Sequence, residues 1–155
     1  MKRAGLVAAL PLGAFAALSA FSSSQQLAEL PTRGAIRPGA AASALGALGL
    51  LLTIAVYALL GRHVLRGGGN ERDALWAGAI CGTVAGVCGS VLTALGVRDY
   101  LDAVLTTYAV PREQLIPAVL AVYVVLWTSG STVFGSVAAW FALRWWRSRA
   151  GSAGS

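Results

Sequence analysis

The side chains able to do chemistry are few, and their spacing sets them apart from one another. His63 is the one histidine, next to Arg62, and a histidine-rich metal centre needs several. Cys81 and Cys88 lack the CxxC spacing of a thiolate site. Seven residues separate them, about 10 Å of helix rise, too far for an intrahelical disulfide. They differ by about 20° around a helix and read as small apolar packing residues. A thiol site or an intermolecular disulfide is the functional alternative. Asp99 and Asp102 share one helical face, with Glu113 further on. A solvated face is the simple reading of these acids. An enzyme acting on lipid at the membrane interface is the chemical one, with Arg98 and Arg112 available but organised by no motif.

The polar cluster Thr128-Ser129-Gly130-Ser131-Thr132 lies in the middle of an apolar run. Its hydroxyls can bond back to helix carbonyls, bridge helices, or line a polar cavity around a small ligand. Thr128, Ser129, Ser131 and Thr132 are therefore the candidate polar ligand spot. No histidine or carboxylate lies in that run, or in the two before it, to activate a serine nucleophile. No catalytic, cofactor-binding or metal-ligating residue is assigned, and the chain is expected not to be an enzyme.

The elements that carry these residues are apolar runs. Of 155 residues, 57% are hydrophobic and 12% charged, and the mean hydropathy is +0.70. A soluble domain carries roughly twice that share of charge, so a water-facing surface cannot be covered. The formal charge is +6, with 12 basic residues, all Arg except Lys2. They sit singly or in small groups at the ends of apolar runs, which fits membrane topology rather than a nucleic-acid patch. Abundant Arg, Ala and Gly hint at a GC-rich genome. The layout is similar in shape, though not in motif, to small bacterial multi-helix membrane proteins.

Four runs appear: 4–21, 40–60, 74–96 and 115–143. About 20 residues span a bilayer, so the last three qualify outright, and none of them contains Asp, Glu, Lys, Arg or His. Ion-coupled transporters, proton relays and voltage sensors need such groups in the span. The first run, behind Met1-Lys2-Arg3 and with Pro11 inside, reads as a retained helix or as a cleaved signal peptide. The expected fold is all-α: a membrane bundle of four transmembrane helices, or three if the first is cleaved.

With the N-terminus inside, eight basic residues (Lys2, Arg3, Arg62, Arg66, Arg72, Arg144, Arg147, Arg149) fall on the inner side and four (Arg33, Arg37, Arg98, Arg112) outside. That predicts a multi-pass cell-membrane protein with both termini cytoplasmic. Trp76, Trp145 and Trp146 with Arg144 and Arg147 form an inner belt that anchors the bundle or touches anionic lipid. The Ser22–Pro38 segment reads as a polar outer loop with a short helical turn near Gln25–Leu30. Gly67-Gly68-Gly69-Asn70 reads as a flexible break, after which Asn70 caps the third span. Residues 97–108 alternate as a short amphipathic interfacial helix, and 148–155 as a disordered cytoplasmic tail.

The helix faces carry the clearest signal. Gly78, Gly82, Gly86, Gly89, Thr93 and Gly96 fall within about 80° of one another at 100° per residue, opposite Ile80, Val84, Val87, Val91 and Leu95. Small residues permit close backbone approach between helices in lipid. Ala42, Gly46, Gly49 and Thr53 repeat the device in the second span. Ala121, Thr128, Thr132, Gly135, Ala139 and Ala142 repeat it in the last, opposite Tyr123, Leu126, Trp127, Phe134, Trp140 and Phe141. The expected role is a non-catalytic structural or accessory subunit of a homo-oligomer or larger membrane complex, joined through these glycine faces. Its expected partners are the bilayer and other membrane subunits or its own copies. A small channel or carrier for a neutral solute is the alternative, with the interfacial lipid enzyme third.

Overall fold

Inside a bilayer no water is available to the backbone, so a run of Ala, Leu, Val and Gly must satisfy its own peptide groups as helix. The computed structural model describes residues 2–28, 40–107 and 112–152, and these form four helices. They are α1 (Lys2–Ala28), α2 (Ala40–Arg66), α3 (Glu71–Thr107) and α4 (Arg112–Ser152). The last three have 27, 37 and 41 residues, each longer at 1.5 Å per residue than a hydrocarbon layer of about 30 Å. Ala44–Arg66, Glu71–Arg98 and Gln114–Ala150 are long and apolar enough to cross a membrane, while the apolar part of α1, Arg3–Ser19, is shorter. These three helices suggest membrane residence.

Helices run further than composition suggests. Residues 97–107 continue α3 without a break, so the amphipathic stretch is no separate helix. Its polar–apolar alternation sets which side faces what but contains no proline or other breaker to turn the axis. Likewise α1 carries on through Ser22 to Ala28, and α4 extends to Ser152 into the segment expected to be disordered. Residues 29–39, 108–111 and 153–155 fall outside the described residues, as do the side chains of Asp99 and Glu113.

The turn between α2 and α3 is ordered where a flexible break was expected. Gly68 N–H donates to Leu65 O at 3.1 Å and Gly69 N–H to Val64 O at 2.9 Å, the paired bonds of a Schellman helix end. Gly68 holds φ at +67°, the left-handed conformation that glycine adopts without a Cβ penalty. Asn70 then caps α3. Its Oδ1 accepts from Asp73 N–H, and Asp73 Oδ2 accepts from Asn70 N–H, both at 3.0 Å. This reciprocal box satisfies donors that the helix start leaves open.

The four helices alternate in direction. Gly5 of α1 lies against Ala77 and Ile80, and Gly89 against Ala16, so α1 and α3 run parallel. Gly78 lies against Gly135, and Gly82 against Ser131, so α3 and α4 run antiparallel. Tyr57 of α2 meets Phe134 and Gly135, and Gly61 lies against Ala142 and Leu143, so α2 runs parallel to α4. The most extensive interface is α3 with α4, then α1 with α3, whereas α2 leans on α4 and α1 and barely touches α3. Alternation gathers the ends bearing Arg3, Arg62, Arg66, Arg72, Arg144, Arg147 and Arg149 on one side, here termed the basic end.

The core lies in the half nearest that end. Ala9, Leu12, Val56, Tyr57, Leu60, Val64, Ala74, Ala77, Cys81, Ala139 and Leu143 form one buried cluster. Towards the far end the helices show their apolar side chains outward: Leu48, Leu50, Leu51 and Ile54 on α2, and Val119, Val122, Val125 and Leu126 on α4.

Candidate functional site

Two groups of polar side chains stand out, one midway along the α3–α4 interface and one at the basic end. The first begins with the glycines. Gly78, Gly82 and Gly86 are buried against the α4 backbone around Gly135, Ser131 and Thr128. A Cβ at Gly135 would stand 2.5 Å from the Gly78 carbonyl oxygen and 2.6 Å from the Tyr57 hydroxyl, and no side chain fits there. Gly89 faces Ala16 of α1 instead, and Gly49 faces the Phe15 ring. Gly46 has nothing within 4 Å. The glycine strip of α3 is therefore filled from within the chain.

Close approach brings hydroxyls together. Thr83 Oγ1 and Thr132 Oγ1 lie 2.8 Å apart, and Ser90 Oγ lies 3.5 Å from Thr128 Oγ1. Thr83 also reaches Ala79 O, and Thr132 reaches Thr128 O, each at 2.8 Å. Two protons thus serve three contacts, because each hydroxyl donates once. Ser136 donates to Thr132 O at 2.9 Å and Thr53 to Gly49 O at 2.7 Å. Of the candidate ligand spot, Thr128 and Thr132 turn to α3, and Ser131 packs under Gly82 and Gly86. Ser129 is exposed on another side of the helix, so the structure does not bring the four together. Ala121, placed on the packing face by its spacing, is also exposed.

At the basic end Glu71, in the first turn of α3, ties α4 down. Trp140 Nε1 donates to its Oε2 at 2.8 Å, and Arg144 Nε to its Oε1 at 3.1 Å. Arg147 Nη1 stands 3.8 Å from the same oxygen, while its Nη2 donates to Gly69 O at 3.2 Å. Trp140, placed opposite the packing face by its spacing, is half-buried and serves this network instead. The angular position of Trp140 on α4 marked it as outward, and only its pairing with a residue on α3 reveals the role.

A second aromatic group joins α4 to α2. Trp146 Nε1 donates to Ala58 O at 3.0 Å, and the Arg62 guanidinium lies 5.1 Å from the Trp146 ring centre. The Trp145 and Trp146 rings meet edge to face at 5.1 Å, and Arg149 stacks 4.2 Å from the Trp145 centre. Arg144 does the same over Trp140 at 4.4 Å. Sequence reasoning found the belt as a set of residue types but missed Glu71 and Arg62 as its organisers.

Cys81 is buried in the core and Cys88 is exposed beside Gly13, so the two thiols do not share one environment. Among the described residues no three His, Cys, Asp or Glu side chains group as metal ligands do. No family model matches the chain, and no curated protein or solved structure shows significant similarity to it.

Proposed function

We propose that this chain is a non-catalytic, multi-pass subunit of a membrane assembly, with both termini on the cytoplasmic side. The observation that carries the reading is how its polar groups are used. Mid-span hydroxyls bond to each other and to helix carbonyls, and of the two acids at the head of α3, Glu71 is engaged by Trp140 and Arg144 and Asp73 by the cap. Such groups build a scaffold; they are not presented to a substrate. Because Gly78, Gly82 and Gly86 of α3 meet α4 and Gly89 meets α1, contact with other subunits falls to surfaces that remain outside the bundle. The Gly46 side of α2 and the Trp127–Phe134–Phe141 side of α4 are those surfaces. Orientation rests on the excess of basic residues at one end.

Gentle affinity purification of the full chain with intact-mass measurement tests this reading. Co-purifying membrane proteins, or a defined multiple of the chain mass, is the expected result. A lone monomer that lets a neutral solute leak from sealed vesicles would overturn it in favour of a channel or carrier. Reporter fusions at Gly68 and after Ser152 test orientation, both being expected to report cytoplasm.

A further inference from the structure

The basic end carries more cations than its carboxylates can match. There Glu71 is engaged by Arg144 and Arg147, and Asp73 is committed to the cap of α3. On its α2 side, Arg62, His63 and Arg66 follow one another along the last turn, all or mostly exposed. Arg62 and Arg66 are four residues apart and so stand one above the other on one helical face. Neither has a carboxylate partner among the described residues. Beside them the Trp146 indole is fixed by its bond to Ala58 O, with the Arg62 guanidinium against its face. A guanidinium carries several N–H donors that an oxyanion can accept from. Tryptophans of this kind sit at the level of lipid headgroups.

We propose that Arg62, set against Trp146, and Arg66, one turn further on, seat the phosphodiester headgroup of an anionic phospholipid at the α2–α4 corner. The occupant is lipid rather than an acidic protein because the donors border exposed apolar side chains of helices long and apolar enough to cross a membrane. Leu59 of α2 and Phe141 of α4, both exposed, lie about one helical turn deeper than the donors, where acyl chains would run. The proposal depends on membrane residence and not on the subunit reading; a chain that purifies alone can still hold the lipid.

The test uses the full chain in a nonionic detergent, titrated with dioleoylphosphatidylglycerol or dioleoylphosphatidylcholine and read by native mass spectrometry. The anionic lipid is expected to bind with clear preference, and inorganic phosphate alone is expected not to displace it. At roughly fivefold per basic side chain near a charged lipid, the Arg62→Gln/Arg66→Gln pair should weaken that binding by about thirtyfold. Arg72→Gln, at the same end but on α3, should leave it unchanged. The charge-keeping Arg62→Lys/Arg66→Lys pair should keep most of the preference. Equal retention of the two lipids by the unaltered chain would overturn the proposal. So would equal losses in the Arg62/Arg66 and Arg72 variants, or displacement by phosphate alone, which would mark a simple anion site.

Discussion

The two halves of the bundle are held by different means. Near the basic end, α2, α3 and α4 are joined by an ordered turn, a carboxylate that gathers Trp140 and Arg144, and a shared apolar core. Towards the far end the described contacts are sparser, among them the Ser90–Thr128 pair and the Gly49–Phe15 and Gly89–Ala16 contacts, and α2 presents an open side at Gly46. A helix pair in lipid gains nothing from hiding oily side chains, since lipid tails are as apolar as leucine. Contact must come from close fit and polar bonds, and this chain concentrates both in one half. The open half is the one left for lipid or for other subunits.

The largest break in this comparison should come from Gly82→Leu, which drives a side chain into the Ser131 backbone. Backbone gives way poorly, so the cost should exceed about 3 kcal/mol, seen as loss of the folded form in detergent. Val87→Leu, on an exposed position of the same helix, should change thermal unfolding little. Equal effects from the two would show that the α3–α4 interface is misassigned. Next in size, Gly68→Ala puts a Cβ on a left-handed residue and should cost about 1 kcal/mol, measurable as a lowered unfolding midpoint. Thr132→Val removes the contacts to Thr83 and Thr128 O and should cost about 0.6 kcal/mol. A loss several times larger would mean that the hydroxyl seam, and not the glycine fit, holds the interface. The smallest effect on monomer stability is expected for Gly46→Leu, where there is nothing to collide with. If oligomer size, followed by intact mass, falls while unfolding is unchanged, the open half is a subunit contact.

Repetition made the fold legible. Glycine every fourth residue in α3 gives both the helix and the side it buries, and Gly135, Ala139 and Ala142 do the same for α4. What could not be read depends on partners distant in sequence. Trp140 is outward by its angle and inward by its bond to Glu71, 69 residues away. Gly61 looks like the start of a loop, yet it is the place where α2 meets Ala142. The glycine run 67–69 resembles slack because composition alone does not disclose that Gly69 closes a bond to Val64 O. Within the candidate ligand spot, Thr128, Ser131 and Thr132 stand three and four residues apart and so share the face turned to α3, whereas Ser129 points away from it.

The uneven placing of tryptophan has a practical side. Of the five in the chain, Trp76, Trp140, Trp145 and Trp146 sit towards the basic end, and Trp127 alone sits in the other half. Intrinsic fluorescence is therefore a built-in gauge of one end of the molecule. Water entry at the α2–α3 turn will shift the emission strongly, whereas fraying that begins at the opposite end will stay almost dark until it reaches Trp127.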